Sequence, residues 1–330
     1  MSRIVAPDAA GIVAATQALR DGRLVAFPTE TVYGLGADAR NAAAVRDIFI
    51  AKGRPADHPV IVHVPDALEA RRWARDFPSG AQRLADAFWP GPLTLIVPRA
   101  AHVDDIVTGG QDSVGLRVPS HPVARALLAH FGGALAAPSA NRFGHVSPTT
   151  ASHVADDLGE RVALILDGGE CPVGIESSIV AFTSRGPALL RPGGVPLADL
   201  ERALGSPLQR SVTDAPRASG TLPSHYAPRT PANLVAADAL AAEVALLAER
   251  DERSAVLARL ALPPADFDGV WLAAPHDASA YAHDLYANLR RLDRVNADVL
   301  VIEDVPDASE WLAVRDRLIR ATRRVDDDVD

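Results

Sequence analysis

Cysteine, methionine and lysine are almost missing from this chain. Each occurs once, as Cys171, Met1 and Lys52. A single cysteine permits no internal disulfide and no zinc site built on thiolates. With so little cysteine, the cytoplasm is the natural compartment. No window approaches eighteen uncharged apolar residues, so no membrane span is expected. The start, Met1-Ser-Arg-Ile-Val-Ala-Pro-Asp8, lacks the apolar core of a signal peptide. No Gly-x4-Gly-Lys-Ser/Thr loop occurs, which excludes a P-loop. Neither Gly-x-Ser-x-Gly nor His-Glu-x-x-His is found, and Cys171 has no evident catalytic partner. The interleaving of aromatic and basic residues that marks many nucleic-acid surfaces is also missing.

What is present is a globular composition of 330 residues, 48% hydrophobic and 23% charged, with net charge −9. That length suggests two domains. Residues 1–207 hold 19 basic and 21 acidic side chains, a net of −2; residues 208–330 hold 14 and 21, a net of −7. Residues 208–231 read as a linker, rich in Pro, Ser, Thr and Arg without an apolar period. Its centre, Ser219 to Pro228, carries His225 and Tyr226 between stiffening prolines. Short apolar strands alternate with amphipathic helices over 1–207, which predicts an α/β domain around a twisted mixed sheet. Residues 232–330 alternate strands and helices with continuous apolar strands, which predicts a small open parallel sheet of Rossmann-like type. The acidic end, Asp326 to Asp330, is expected to be a solvated tail.

Several segments could carry chemistry. Pro28-Thr-Glu-Thr-Val-Tyr-Gly-Leu-Gly36 follows a strand and offers hydroxyls, a carboxyl and two glycines. It reads equally as an ordinary turn or as a loop presenting N–H groups to a polar ligand. Lys52-Gly-Arg-Pro55 ends a predicted helix. It reads as charges complementing the helix terminus, or as an ammonium and a guanidinium fork gripping phosphate. The lone lysine in an arginine-rich chain favours the second reading. Treated as a surface-pocket residue, Lys52 should contribute little to folding. His63 lies among apolar strand residues, where a satisfied core histidine is the commoner outcome. Pro138-Ser-Ala-Asn141 closes a buried strand, where open sheets place ligands. Gly174-Ile-Glu-Ser-Ser178, Arg117 within an apolar strand, and Arg191-Pro-Gly-Gly194 complete the set. Together these cations and hydroxyls suit a substrate with phosphates and a carboxylate. Cys171 reads as structural.

In this order, the five segments Pro28–Gly36, Lys52–Pro55, Pro138–Asn141, Gly174–Ser178 and Leu190–Gly193 closely resemble the YrdC-like family. The linker Ser224-His-Tyr-Ala-Pro228 resembles that of its longer, two-domain threonylcarbamoyl-AMP synthases. The resemblance implies a YrdC-like N-terminal domain and a nucleotidyltransferase that joins L-threonine, bicarbonate or CO2, and ATP. The products would be threonylcarbamoyl-AMP and pyrophosphate, used by a downstream transferase machinery that modifies tRNA. It implies that Thr31, His63, Arg117, Ala137 (through its backbone) and Ser177 hold threonine. Lys52, Arg54, His58, Ser113, Ser139, Asn141, Ser147, Arg191 and Tyr226 would hold ATP, with Lys52 and Arg54 at the phosphates and His225 beside Tyr226. Mg2+ would arrive with ATP, and no protein ligands for it are assigned. Two other functions stay open: an RNA-binding module of YrdC type, with at most weak tRNA contact, and a carbamoyl-transfer enzyme with another acceptor.

Overall fold

A computed structural model describes residues 3–210 and 215–323. The expected acidic tail, 326–330, lies outside the described residues. The chain divides into two compact units. The first comprises Met1–Phe143 and Ser147–Thr221, the second Gly144–Val146 and Leu222–Asp330. Of the segment 208–231, the described residues 208–210 and 215–221 thus fall with the first unit and residues 222–231 with the second.

The first unit is built on ten strands: β1 (Ile4–Val5), β2 (Val25–Phe27), β3 (Gly34–Asp38), β4 (Ile61–His63), β5 (Leu93–Pro98), β6 (Ser113–Arg117), β7 (Leu135–Ala136), β8 (Leu164–Leu166), β9 (Ser178–Thr183) and β10 (Gly186–Arg191). Their order is β1-β8-β2-β3-β7-β4-β6-β5-β9-β10. Parallel pairs such as β4/β6 and β5/β9 alternate with antiparallel pairs such as β2/β3 and β5/β6, so the sheet is mixed. The helix Ala9–Arg20 is capped by Asp8, whose carboxylate accepts from the Gly11 N–H. Its apolar stripe packs with helix Pro122–Phe131 over β2 and β8, through Leu19, Phe27, Leu127, Leu128 and Leu166.

Two features depart from expectation. The Gly-Leu-Gly run after Tyr33 is neither a turn nor a ligand loop but strand β3, antiparallel to β2. A Cβ on Gly36 would stand 2.8 Å from the Phe27 ring, so glycine is there to let the two strands close. Helices Pro122–Phe131 and Ala151–Leu158 were not legible in the sequence pattern. The first starts on proline and is capped by a histidine ring, His121 Nδ1 accepting from Val123 N–H. The second is short and carries Ser, His and two Asp, poor helix formers held by the Thr150 cap.

The second unit has strands β11 (Ala232–Val235), β12 (Ser254–Ala258), β13 (Val270–Ala273) and β14 (Val299–Glu303). All pair in parallel in the order β11-β14-β12-β13. This is the small open sheet expected. Leu240, Val244 and Leu247 of one helix pack on Val256, Val299 and Val301. No described helix is long and apolar enough to cross a membrane.

Candidate active site

Register places most candidate residues of the first unit on one sheet face. Ile61 pairs with Gly115 and His63 with Arg117. Ile96 pairs with Gly115, and Thr94 with Ile179. Side chains alternate along a strand, so Ile61, His63, Ser113, Gly115, Arg117, Thr94, Ile96 and Ile179 project to the same side. Ser177 immediately precedes β9 in the same phase.

At one end of this face, Glu30, Thr31, Arg117 and His63 form a buried cluster. Arg117 Nη2 donates to Glu30 Oε1 at 2.6 Å and to Thr31 Oγ1 at 2.9 Å. Glu30 Oε2 accepts from the Ser120 and His121 N–H groups at 3.0 and 3.4 Å. Burial pushes the Glu30 carboxyl upward. The Arg117 charge and these bonds outweigh it and hold the group below the usual carboxylate range. His63 is driven to about 3 by burial, with the Arg117 charge adding to it, so its ring is neutral. Two polar atoms here have no hydrogen-bond partner, His63 Nδ1 and Arg117 Nε. Ala137 lies beside them and is held by its N–H on Ile61 O at 2.9 Å.

Lys52 is 3% exposed, not a surface-pocket residue. Its Nζ donates to Ser139 O at 2.6 Å, Asn141 O at 2.5 Å and Asn141 Oδ1 at 3.4 Å. Burial and the neighbouring Arg54 charge depress its pKa well below that of a free lysine. These bonds tie the Ser139–Asn141 turn to the end of helix Ala42–Lys52. The reading of Lys52 as marginal to folding is corrected on this geometry: removing it would take a donor from two carbonyls. Arg54 donates to Pro59 O at 2.8 Å and lies 5.8 Å from the Phe143 ring centroid. His58 meets the same ring edge-on at 5.4 Å, and burial with Arg54 lowers its pKa.

The opposite end is organised by Arg191. Its Nε and Nη2 donate to Ser177 O at 3.1 and 2.9 Å, and Nη2 also to Ser177 Oγ at 3.1 Å. Ser147 Oγ donates to Glu176 Oε1 at 2.6 Å. The turn after β10 fits tightly: a Cβ on Gly193 would lie 2.3 Å from Glu176 O.

A strap, residues 215–221, runs over this face. Ala218 packs with Ile61, Ile96, Ile179 and Ala181. Ser219 O accepts from Arg191 Nη1 at 2.8 Å, and Ser219 Oγ lies 3.4 Å from Arg54 Nη2 and donates to Pro59 O at 2.9 Å. The space left beneath it is a slit of about 10 Å³, lined among others by Thr94, Ser113, Gly115 and Ser219.

Thirteen of the fifteen candidates therefore belong to the first unit, clustered as described. Tyr226 and His225 belong to the second. There Tyr226 adopts φ +63°, stacks on Tyr286 with centroids 5.8 Å apart, and sits under the Arg317 guanidinium at 4.9 Å. The sequence reading gave no role to Glu30, Thr94 or Ser219. A polar residue in the inward phase of an apolar strand, Thr94 in Leu93-Thr-Leu-Ile-Val97, was the available signal. Among the described residues no cluster of three His, Cys, Asp or Glu could hold a metal.

Comparison with known proteins covers nearly the whole chain. The family profile Sua5_yciO_yrdC, described as telomere recombination, matches residues 17–193. The profile Sua5_C, described as the threonylcarbamoyl-AMP synthase C-terminal domain, matches residues 195–322. The threonylcarbamoyl-AMP synthase of Pyrococcus abyssi is 39% identical over 312 residues, 92% of each chain. That of Bacillus subtilis is 37% identical over 322 residues, 94% of this chain and 92% of the relative. The solved structure of P. abyssi Sua5 complexed with L-threonine superimposes with a TM-score of 0.89 at 37% identity, over 98% of this chain and 97% of that one. With two profiles following one another along its length and relatives similar from end to end, the chain belongs to the threonylcarbamoyl-AMP synthase family.

Proposed function

We propose that this chain makes threonylcarbamoyl-AMP and pyrophosphate from L-threonine, bicarbonate or CO2, and ATP, by nucleotidyl transfer. The observation that carries this reading is the pair of unpartnered atoms, His63 Nδ1 and Arg117 Nε, on strand residues that pair directly. Buried polar atoms without partners are costly. A small amino acid would supply them, its carboxylate accepting from Arg117 Nε, and Thr31 and the Ala137 backbone adjoin the same place. The solved relative complexed with L-threonine supports the same choice.

In the proposed reaction the threonine amine adds to CO2 and loses a proton, which gives a carbamate. A carbamate oxygen then attacks the α-phosphorus of ATP, and the bond to pyrophosphate breaks. No covalent enzyme intermediate is needed, so the protein acts by positioning and by charge. Arg54 and Arg191 would meet phosphate oxygens as guanidinium forks. Lys52 would hold the Ser139–Asn141 turn in place. His58, Ser113 and Ser147 would complete the nucleotide side, with Tyr226 and His225 supplied by the linker. Ser219 engages both arginines, its carbonyl on Arg191 and its hydroxyl near Arg54, so the strap would release them for phosphate to reach their forks. Mg2+ would come bound to ATP as part of the substrate. The product would pass to a tRNA-modifying transferase.

The test is pyrophosphate release by the purified chain with ATP, Mg2+, bicarbonate and L-threonine. Release that depends on both threonine and bicarbonate is expected. Release unchanged when threonine is omitted would refute the reading.

A further inference from the structure

We propose that Thr94 is a positioning residue for the substrate oxygen that Ser177 faces. The inference rests on the function just proposed and adds a group that none of the sequence motifs contains. Thr94 Oγ1 and Ser177 Oγ lie 2.8 Å apart, and both residues are fully buried. Ser177 Oγ also accepts from Arg191 Nη2 at 3.1 Å. A guanidinium only donates.

The proton count then decides the matter. The two hydroxyls carry two protons, and one is used in the bond between them. Arg191 cannot accept the other. Among the described residues neither hydroxyl has any other partner. Whichever way the pair is oriented, one hydroxyl proton is left without a protein acceptor. Leaving it so in a buried site is unfavourable, and a proton-poor ligand oxygen would relieve it.

Geometry fixes where that proton can point. Thr94 shares its sheet face with Ile61, Gly115 and Ile179 and lines the slit beneath Ser219. A Cβ on Gly115 would lie 3.5 Å from Thr94 Cγ2, so the methyl occupies the side toward β6. The hydroxyl is thereby turned toward Ser177. A carboxylate or carbamate oxygen of the amino-acid substrate, which bears no proton, is the matching acceptor. No bond is made or broken at Thr94 itself.

The experiment compares wild type with Thr94→Val, Thr94→Ser and Thr94→Ala in pyrophosphate release, titrating threonine and ATP separately. Threonine binding is also measured directly by calorimetry. Thr94→Val keeps the shape and removes the hydroxyl. It is expected to lower kcat/KM for threonine about ten-fold while leaving KM for ATP unchanged and lowering the melting temperature only by the loss of one hydrogen bond. Thr94→Ser should restore kcat/KM to within about two-fold, because the hydroxyl alone is required. If Thr94→Val does not fold, Thr94→Ala supplies the same comparison. Wild-type kcat/KM in the hydroxyl-free variant would overturn the proposal. So would Thr94→Ser being as impaired as Thr94→Val, which would assign the effect to packing. A wild-type enzyme without threonine-dependent release would instead overturn the proposed function, and this inference with it.

Discussion

Lys52 and His63 make opposite use of burial. Lys52 keeps its place because three acceptors surround its Nζ. Lys52→Ala should therefore destabilise the protein by about 2–4 kcal/mol, since two buried carbonyls lose the Nζ that donates to them. Urea unfolding measures this, and a loss below about 0.5 kcal/mol, the range of neutral surface changes, would refute it. His63 keeps its place by staying neutral, its pKa pushed down to about 3 by burial and by Arg117. Between pH 6.5 and pH 3 the unfolded chain binds a proton at His63 that the folded chain does not. Stability must then rise with pH across that window and fall on acidification. His58 and His121, also lowered chiefly by burial, act in the same sense. His63→Asn should flatten the slope by up to ~1.4 kcal/mol per pH unit, read from urea midpoints at pH 6, 5 and 4. An unchanged slope would mean that His63 is not neutral and buried.

Elements were legible where one rule governed them. Apolar strands such as Leu93–Pro98 and Val299–Glu303 followed from their runs, and the parallel second sheet followed from alternation. Strand β3 was not legible, because its glycines signal a turn until Phe27 is known to lie against them. The site divided in the same way. Motifs at strand ends pointed to Thr31, Ser139 and Arg191, whereas Glu30, Thr94 and Ser219 matter through partners 87, 83 and 28 residues away. Local spacing carries no information about such pairs. The strap is the element with the clearest consequence. It competes with phosphate for Arg54 and Arg191, so loosening it should help ATP. Ser219→Ala removes the bond to Pro59 O and the Arg54 contact but keeps the Ser219 carbonyl on Arg191. One hydrogen bond, about 1 kcal/mol, corresponds to roughly a five-fold lower KM for ATP, with KM for threonine unchanged. A raised KM for ATP would show that Ser219 serves the nucleotide rather than excluding it.

Charge over the whole molecule separates an enzyme of small anions from a binder of RNA. The net −9 is uneven, −2 over residues 1–207 and −7 over residues 208–330. A near-neutral catalytic unit can still gather Lys52, Arg54, Arg117 and Arg191 around one face, enough for a triphosphate and a carboxylate. Glu30 already neutralises Arg117 at 2.6 Å, and Ser219 engages Arg54 and Arg191, so little of that charge is offered outward. A tRNA presents phosphates over tens of ångströms, and its binding draws on many cations with release of counterions. An acidic chain of this distribution should repel it beyond the pocket. Anisotropy of labelled tRNA at ~0.15 M salt should show no saturable binding tighter than ~10 μM, the middle of the non-specific range. Tight binding that weakens steeply with salt would reveal a basic surface, and would restore the RNA-binding function to consideration.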